Sequence, residues 1–162
     1  MIVSAQLREL IIQPALRGID LYSPEAEELL ICICAQESHD GYWLKQTVGG
    51  TRAALGIYQM DPLTYEDIWA NTLTKGECSK LGLRVMTSCN YTLKPKPEVM
   101  IYNLLYASVM ARVFWLHVKA DMPAVNDMDG RWFLYKKYWN TSAGKATQDE
   151  FVSNFNRYVK GE

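Results

Sequence analysis

The run from Glu98 to Lys119, "EVMIYNLLYASVMARVFWLHVK", constrains the fold more than any other stretch. It is the longest helical candidate and is apolar on nearly every side. A helix of that kind passes through a core, so the remaining elements must enclose it. Its most apolar part, "LLYASVMA" at 104–111, is too short to span a bilayer and runs into Arg112. Arg112 reads either as a buried partner for an acid or as a structural cation.

Several shorter helices supply the enclosure. Residues 3–17 are helical in pattern, with Pro14 marking a break or kink. "SPEAEELLICICAQES" opens with Ser23 as N-cap, Pro24 at the first helical position, and Glu25, Glu27 and Glu28 near the positive helix end. "DPLTYEDIW" restarts a helix with Asp61 as cap. "RWFLYKKYW" reads as a short helix. Thr147 and Glu150 form a capping box for a last one, with Phe151, Val152, Phe155 and Tyr158 as its apolar face. Residues 73–97, with Gly76, Gly82, Pro95 and Pro97, read as a long, partly irregular excursion. Residues 41–60 lack helical periodicity and carry Gly41, Gly49, Gly50 and Gly56. They read as loop with short extended pieces, including a hairpin around "VGGT". The expected fold is a mainly α single domain over residues 1–162, with a small irregular or β-like lobe.

At 162 residues such a domain buries roughly 70% of its unfolded surface. A net charge of −1 gives no global basic field for nucleic acid. Cys32 and Cys34 lie two apart on a helix, so their side chains diverge by about 200° and read as reduced core thiols. Cys78 and Cys89 flank a loop and are open to pairing, which cytosolic synthesis disfavours. With His39 and His117 the only histidines, no Cys/His spacing fits a zinc site, and neither metal nor cofactor is expected. Arg8, Glu9 and Pro14 interrupt the first apolar run, so a signal peptide and stable membrane insertion are not expected.

Glu37 is the odd residue. Ala26, Leu30, Ile33 and Glu37 follow at spacings of four, three and four, which puts a carboxyl on an apolar stripe near the negative helix end. Desolvation and the dipole both favour the protonated form there, as a general acid requires. The competing reading sends Glu37 to solvent where the helix frays, or pairs it with Lys45 or Arg52. Downstream, "ALGIYQMDPLT" combines Gly56, which permits a close backbone approach, with Tyr58 and Gln59. An aromatic face and an amide of this kind suit a sugar, but a strand followed by a capped helix fits as well.

In combination these segments resemble the transglycosylase SLT superfamily and its goose-type lysozyme relatives, above all small phage and prophage members. The resemblance spans roughly residues 7–159. It is carried by "SPEAEELLICICAQES", "GGTRAALGIYQMDPLTYEDIW" and "KKYWNTSAGKAT". It implies a lysozyme-like fold that cleaves the β-1,4 bond between N-acetylmuramic acid and N-acetylglucosamine in peptidoglycan. By the same resemblance Glu37 is the catalytic acid/base, and Ser38 orients Glu37 or a substrate group. Tyr58 and Gln59 line the saccharide cleft. Tyr138 and Asn140 stand for the family's Tyr-Asn pair, separated here by Trp139, which leaves open which of them faces the sugar.

Glycosidases commonly use two carboxylates. Between Ser38 and Gln59 the only acid is Asp40; Asp61, Glu66 and Asp67 lie at or past a helix start, where capping explains them. One carboxyl suits the route in which the muramoyl 6-hydroxyl closes a 1,6-anhydro ring, whereas water attack would make the chain a muramidase. Trp43, Trp69, Trp115, Trp132 and Trp139 are candidates for sugar stacking, though most read as core or rim. Lys45, Arg52, Lys136, Lys137 and Lys145 read as a solvated face open to the anionic wall. The expected partner is the peptidoglycan glycan strand. A chain made in the bacterial cytoplasm reaches periplasmic peptidoglycan only through a holin, a membrane lesion or a virion. The alternative to an enzyme is a non-catalytic peptidoglycan-binding or virion structural protein of lysozyme-like fold. The pairs Glu37-Ser38 and Tyr58-Gln59 favour the enzyme.

Overall fold

Two helices buried on nearly every face run through the protein, one more than the apolar run at 98–119 led us to expect. The computed structural model describes residues 2–47, 53–142 and 144–161. Among these it has eight helices and no β-strand. They are α1 (residues 4–18), α2 (Pro24–Ser38), α3 (residues 62–73), α4 (Ser79–Ser88), α5 (Val99–Tyr102), α6 (Leu104–His117), α7 (residues 128–140) and α8 (residues 148–160). A 3-10 turn, Gly76–Cys78, leads into α4. None of the described helices is long and apolar enough to cross a membrane.

The capping signals act as their chemistry dictates. Ser23 accepts the Ala26 amide at 3.1 Å, Asp61 the Leu63 amide at 2.6 Å, and Thr147 the Glu150 amide at 3.3 Å. In α2 every residue from Leu29 to Ala35 is buried, and in α6 every residue from Tyr106 to Ala111. Burying each large apolar side chain contributes about 1.5–3 kcal/mol, so these two helices are the largest contributors to the core, which α1, α3, α7 and α8 complete. Helices α1, α3 and α5 pack on α6, while α8 and α1 pack on α2.

The structure departs from the sequence reading in three places. Pro14 does not break α1. The helix continues through it, with a π-helical stretch, Arg8–Ile12, immediately upstream. Proline leaves the carbonyl four residues back without its donor, and the wider turn absorbs the mismatch. The run 98–119 is two helices, because Asn103 leaves helical geometry and its side chain caps α6 by accepting the Tyr106 amide at 2.9 Å. The excursion 73–97 contains the ten-residue α4. Gly82 sits there because a Cβ would lie 2.3 Å from the Leu73 carbonyl oxygen, so glycine marks close helix packing and not a turn. The lobe is irregular as expected over residues 41–47 and 53–60, and among the described residues its β character is confined to the isolated bridges Lys45–Leu55 and Leu55–Met60. The hairpin expected around residues 48–51 lies outside the described residues.

Candidate active site

The end of α2 is held on all sides, and this fixes Glu37. His39, Asp40 and Gly41 follow the helix with φ of 50°, 51° and 81°, three left-handed residues in succession. For the first two this is unfavourable by roughly 1 kcal/mol or more each, so tertiary contacts must enforce it. Ser38 Oγ donates to the Cys34 carbonyl at 3.1 Å and accepts the Gly41 amide at 3.0 Å. His39 stacks on Tyr158 of α8 with centroids 4.6 Å apart. The Asp40 carboxyl accepts the hydroxyl of Ser4, and the Asp40 carbonyl accepts the Ile2 amide at 2.7 Å. One residue before Glu37, Gln36 accepts from Asn154 of α8 at 2.9 Å.

Opposite lies the segment 55–60, closed by paired backbone bonds between Leu55 and Met60 at 3.0 Å each. Gly56 has φ of 73°, and a Cβ on it would meet the Met100 carbonyl oxygen at 2.5 Å, so only glycine fits. Tyr58 turns into the core, where its hydroxyl bonds Ser108 Oγ of α6 at 3.0 Å; its carbonyl accepts Trp139 Nε1 of α7 at 3.2 Å. These anchors leave Gln59, at φ of 49°, facing the cavity.

Two cavities meet at Glu37. One, of about 290 Å³, is lined by Glu37, Trp43, Lys45, Gln46, Thr47, Ala54 and Gln59. The other, of about 420 Å³, shares Glu37, Gln46, Ala54 and Gln59 and adds residues such as Asp61, Thr64, Tyr138, Trp139 and Asn140. Together they form a groove with the carboxyl at its junction.

Tyr135, on α7, donates its hydroxyl to Glu37 Oε1 at 2.8 Å. Burial pushes the Glu37 carboxyl up from 4.5 to about 7; the Tyr135 hydrogen bond opposes this, and the negative charge of Glu150 adds to it. The contrast with Glu27 is instructive. That acid is also buried but accepts from Arg8 and Gln13 at 3.3 Å each and from Tyr22 at 2.9 Å. Glu37 has a single hydroxyl donor and makes no ion pair among the described residues. Of its alternative partners, Lys45 shares the cavity without pairing, and Arg52 lies outside the described residues. A carboxyl of this kind exchanges its proton near neutrality, which suits it to donate and then remove one.

The expected site residues divide. Glu37, Gln59, Tyr138 and Asn140 line the groove, and both Tyr138 and Asn140 reach it. Ser38 and Tyr58 do not. Ser38 is fully buried and its hydroxyl closes the turn after Glu37. Tyr58 is 1% exposed and bonded to Ser108, because the 55–60 turn buries Leu55, Ile57, Tyr58 and Met60 and leaves Gln59 as the side chain turned toward the groove. Asp40 is also turned away, toward Ser4, and burial raises its pKa. Arg112 pairs with no acid among the described residues; its Nε donates to the Leu21 carbonyl at 2.9 Å.

Two residues of the site have no role in the sequence reading: Tyr135, which is buried behind the groove and bonded to Glu37, and Trp139, which lines it. Tyr135 lacked any signal, being one aromatic on an apolar helix face. Trp139 stands inside the "YWN" segment, where the sequence does not distinguish it from the other tryptophans as core, rim or stacking face. It stacks on Trp115 at 5.8 Å and forms groove wall. Lys136 ties that wall together, donating to Asn140 Oδ1 and the Gly144 carbonyl at 2.8 Å each. The four cysteines are free thiols, Cys78 and Cys89 included. Among the described residues no three His, Cys, Asp or Glu side chains converge to hold a metal ion. Comparison with protein-family models, curated proteins and solved structures finds no match for the chain.

Proposed function

We infer that this chain is a peptidoglycan-cleaving glycosidase of lysozyme-like fold, acting on the β-1,4 bond between N-acetylmuramic acid and N-acetylglucosamine. One observation carries the reading. Three segments remote in sequence, ending in Glu37, centred on Gln59, and running from Tyr138 to Asn140, line one groove around a carboxyl with a pKa near 7. These are the segments that resemble the transglycosylase SLT superfamily.

In the reaction, protonated Glu37 donates to the glycosidic oxygen as the C–O bond breaks, and positive charge develops at the muramoyl anomeric carbon. Tyr135 stabilises the carboxylate left behind and holds its orientation. As base, Glu37 then takes a proton from the attacking oxygen. If that oxygen is the muramoyl 6-hydroxyl, the product is a 1,6-anhydro ring; if it is water, the product is a reducing end. The direction of Asp40, bonded to Ser4 outside the groove, favours the ring-closing route.

A turbidity assay on permeabilised Gram-negative cells tests the reading. Wild type should clear them and Glu37→Gln should not. Equal rates would return the chain to the class of non-catalytic wall-binding or virion structural proteins.

A further inference from the structure

The groove is electrically unequal about Glu37. Among the described lining residues, the 290 Å³ arm holds one cation, Lys45, beside Trp43, whose side chain is part of a residue 45% exposed. The 420 Å³ arm holds no cation and one further acid, Asp61, with Trp139, Asn140 and Thr141. Lys45 is exposed and makes no ion pair among the described residues. Its backbone is nonetheless pinned. Lys45 bridges Leu55, Gln46 donates its amide to the Ala54 carbonyl at 2.9 Å, and Gly56 donates to the Leu44 carbonyl at 2.9 Å. A lysine anchored through its backbone, and unpaired among the described residues, therefore stands on one side of the scissile position, and a carboxylate stands on the other.

A neutral acetamido sugar has no use for this polarity, but the muramoyl residue carries a peptide stem with free carboxylates. We propose that the Trp43–Lys45 arm receives the stem-bearing muramoyl residue, with Lys45 pairing a stem carboxylate and Trp43 covering an apolar face beside it. Asp61 repels the same carboxylates from the other arm, whose indole and amides suit uncharged sugar. Lys45 thus sets the direction in which the strand lies across Glu37. This inference rests on reading the groove as a peptidoglycan cleft.

The test compares kcat/KM on native glycan strands with that on strands whose stem carboxylates have been converted to carboxamides, at low ionic strength. An exposed charge pair corresponds to about a two- to fivefold preference. Wild type should cleave native strands faster by that factor, and salt should erase the difference. Lys45→Gln should cleave both strands at equal rates, and Lys45→Arg should keep the preference. Equal rates for wild type on both strands would overturn the assignment of the arm while leaving the glycosidase reading intact. A preference that persists in Lys45→Gln, or is lost in Lys45→Arg, would overturn it too. Failure of wild type to cleave either strand would overturn the glycosidase reading and this inference with it.

Discussion

The hydroxyl of Tyr135 donates to Oε1 of Glu37 at 2.8 Å, across 98 residues of chain. Tyr135 opens the π-helical stretch of α7, and its ring stacks on Phe151 of α8 at 5.0 Å. A π-helical turn rotates side chains off the α-helical schedule, and here the residue at its start reaches the carboxyl. Three helices thereby meet at one proton.

Removing that hydroxyl should act on both rate and pH profile. The hydrogen bond favours the carboxylate and lowers the Glu37 pKa, so Tyr135→Phe raises it. The alkaline limb of kcat/KM, set by loss of the acid near pH 7, should move to higher pH. The maximal rate should fall about tenfold, the loss expected for one charge-assisted hydrogen bond of positioning. An unmoved limb would show that Tyr135 does not touch the titrating group.

Glu37 itself should weaken the fold at alkaline pH. Its folded pKa of about 7 stands above the ordinary 4.5, so the protonated carboxyl favours the fold below the unfolded value. That contribution is lost as the pH rises through 7. Glu37→Gln does not ionise, so it should gain on wild type between about pH 4 and about pH 9. The gain should be at most about 3 kcal/mol, less whatever solvent in the groove screens. Urea unfolding at the two pH values measures it; a pH-independent difference would contradict a buried, ionising Glu37.

Asp40 should behave as a positioning residue for the turn after Glu37. Its carboxyl is buried, with Oδ2 on Ser4 and Oδ1 unpartnered among the described residues. Burial raises its pKa, so stability from this group too is present at low pH and lost as pH rises through the folded value. Asp40→Asn keeps a hydrogen-bonding side chain that tolerates left-handed backbone, and should fold with wild-type stability or better above neutral pH. Asp40→Ala should cost about 1–3 kcal/mol by stranding the Ser4 hydroxyl and freeing the turn. Thermal unfolding separates the two variants.

Gly56 should tolerate no side chain. With φ of 73° and the Met100 carbonyl 2.5 Å from a built Cβ, Gly56→Ala must displace either α5 or the 55–60 turn. A loss of about 2–4 kcal/mol is expected, of the kind seen for combined strain and overpacking. Because Gln59 rides on that turn, groove binding should weaken as well. Unchanged stability would contradict the close approach.

These expectations also mark what the amino-acid order discloses. Ser23, Asp61 and Thr147 were legible as caps because a cap is local chemistry. Glu37 was legible as an anomaly because three apolar neighbours share its helical stripe. Tyr58 and Gln59 were legible as a pair but not as opposites, since only the tertiary turn decides which faces inward. Tyr135 was hidden because its partner lies 98 residues away and its π-helical placement follows no simple period. Asn103 was hidden inside the apolar run because one polar residue there reads equally as helix surface.

The central claim is that Glu37 breaks the muramoyl glycosidic bond, and mass spectrometry of digested peptidoglycan tests it most directly. Wild type should release glycan fragments ending in muramic acid, as 1,6-anhydro ends by the ring-closing route or as reducing ends by water, and Glu37→Gln should release none. Fragments ending in N-acetylglucosamine, equal release by both proteins, or no release by wild type would contradict the account.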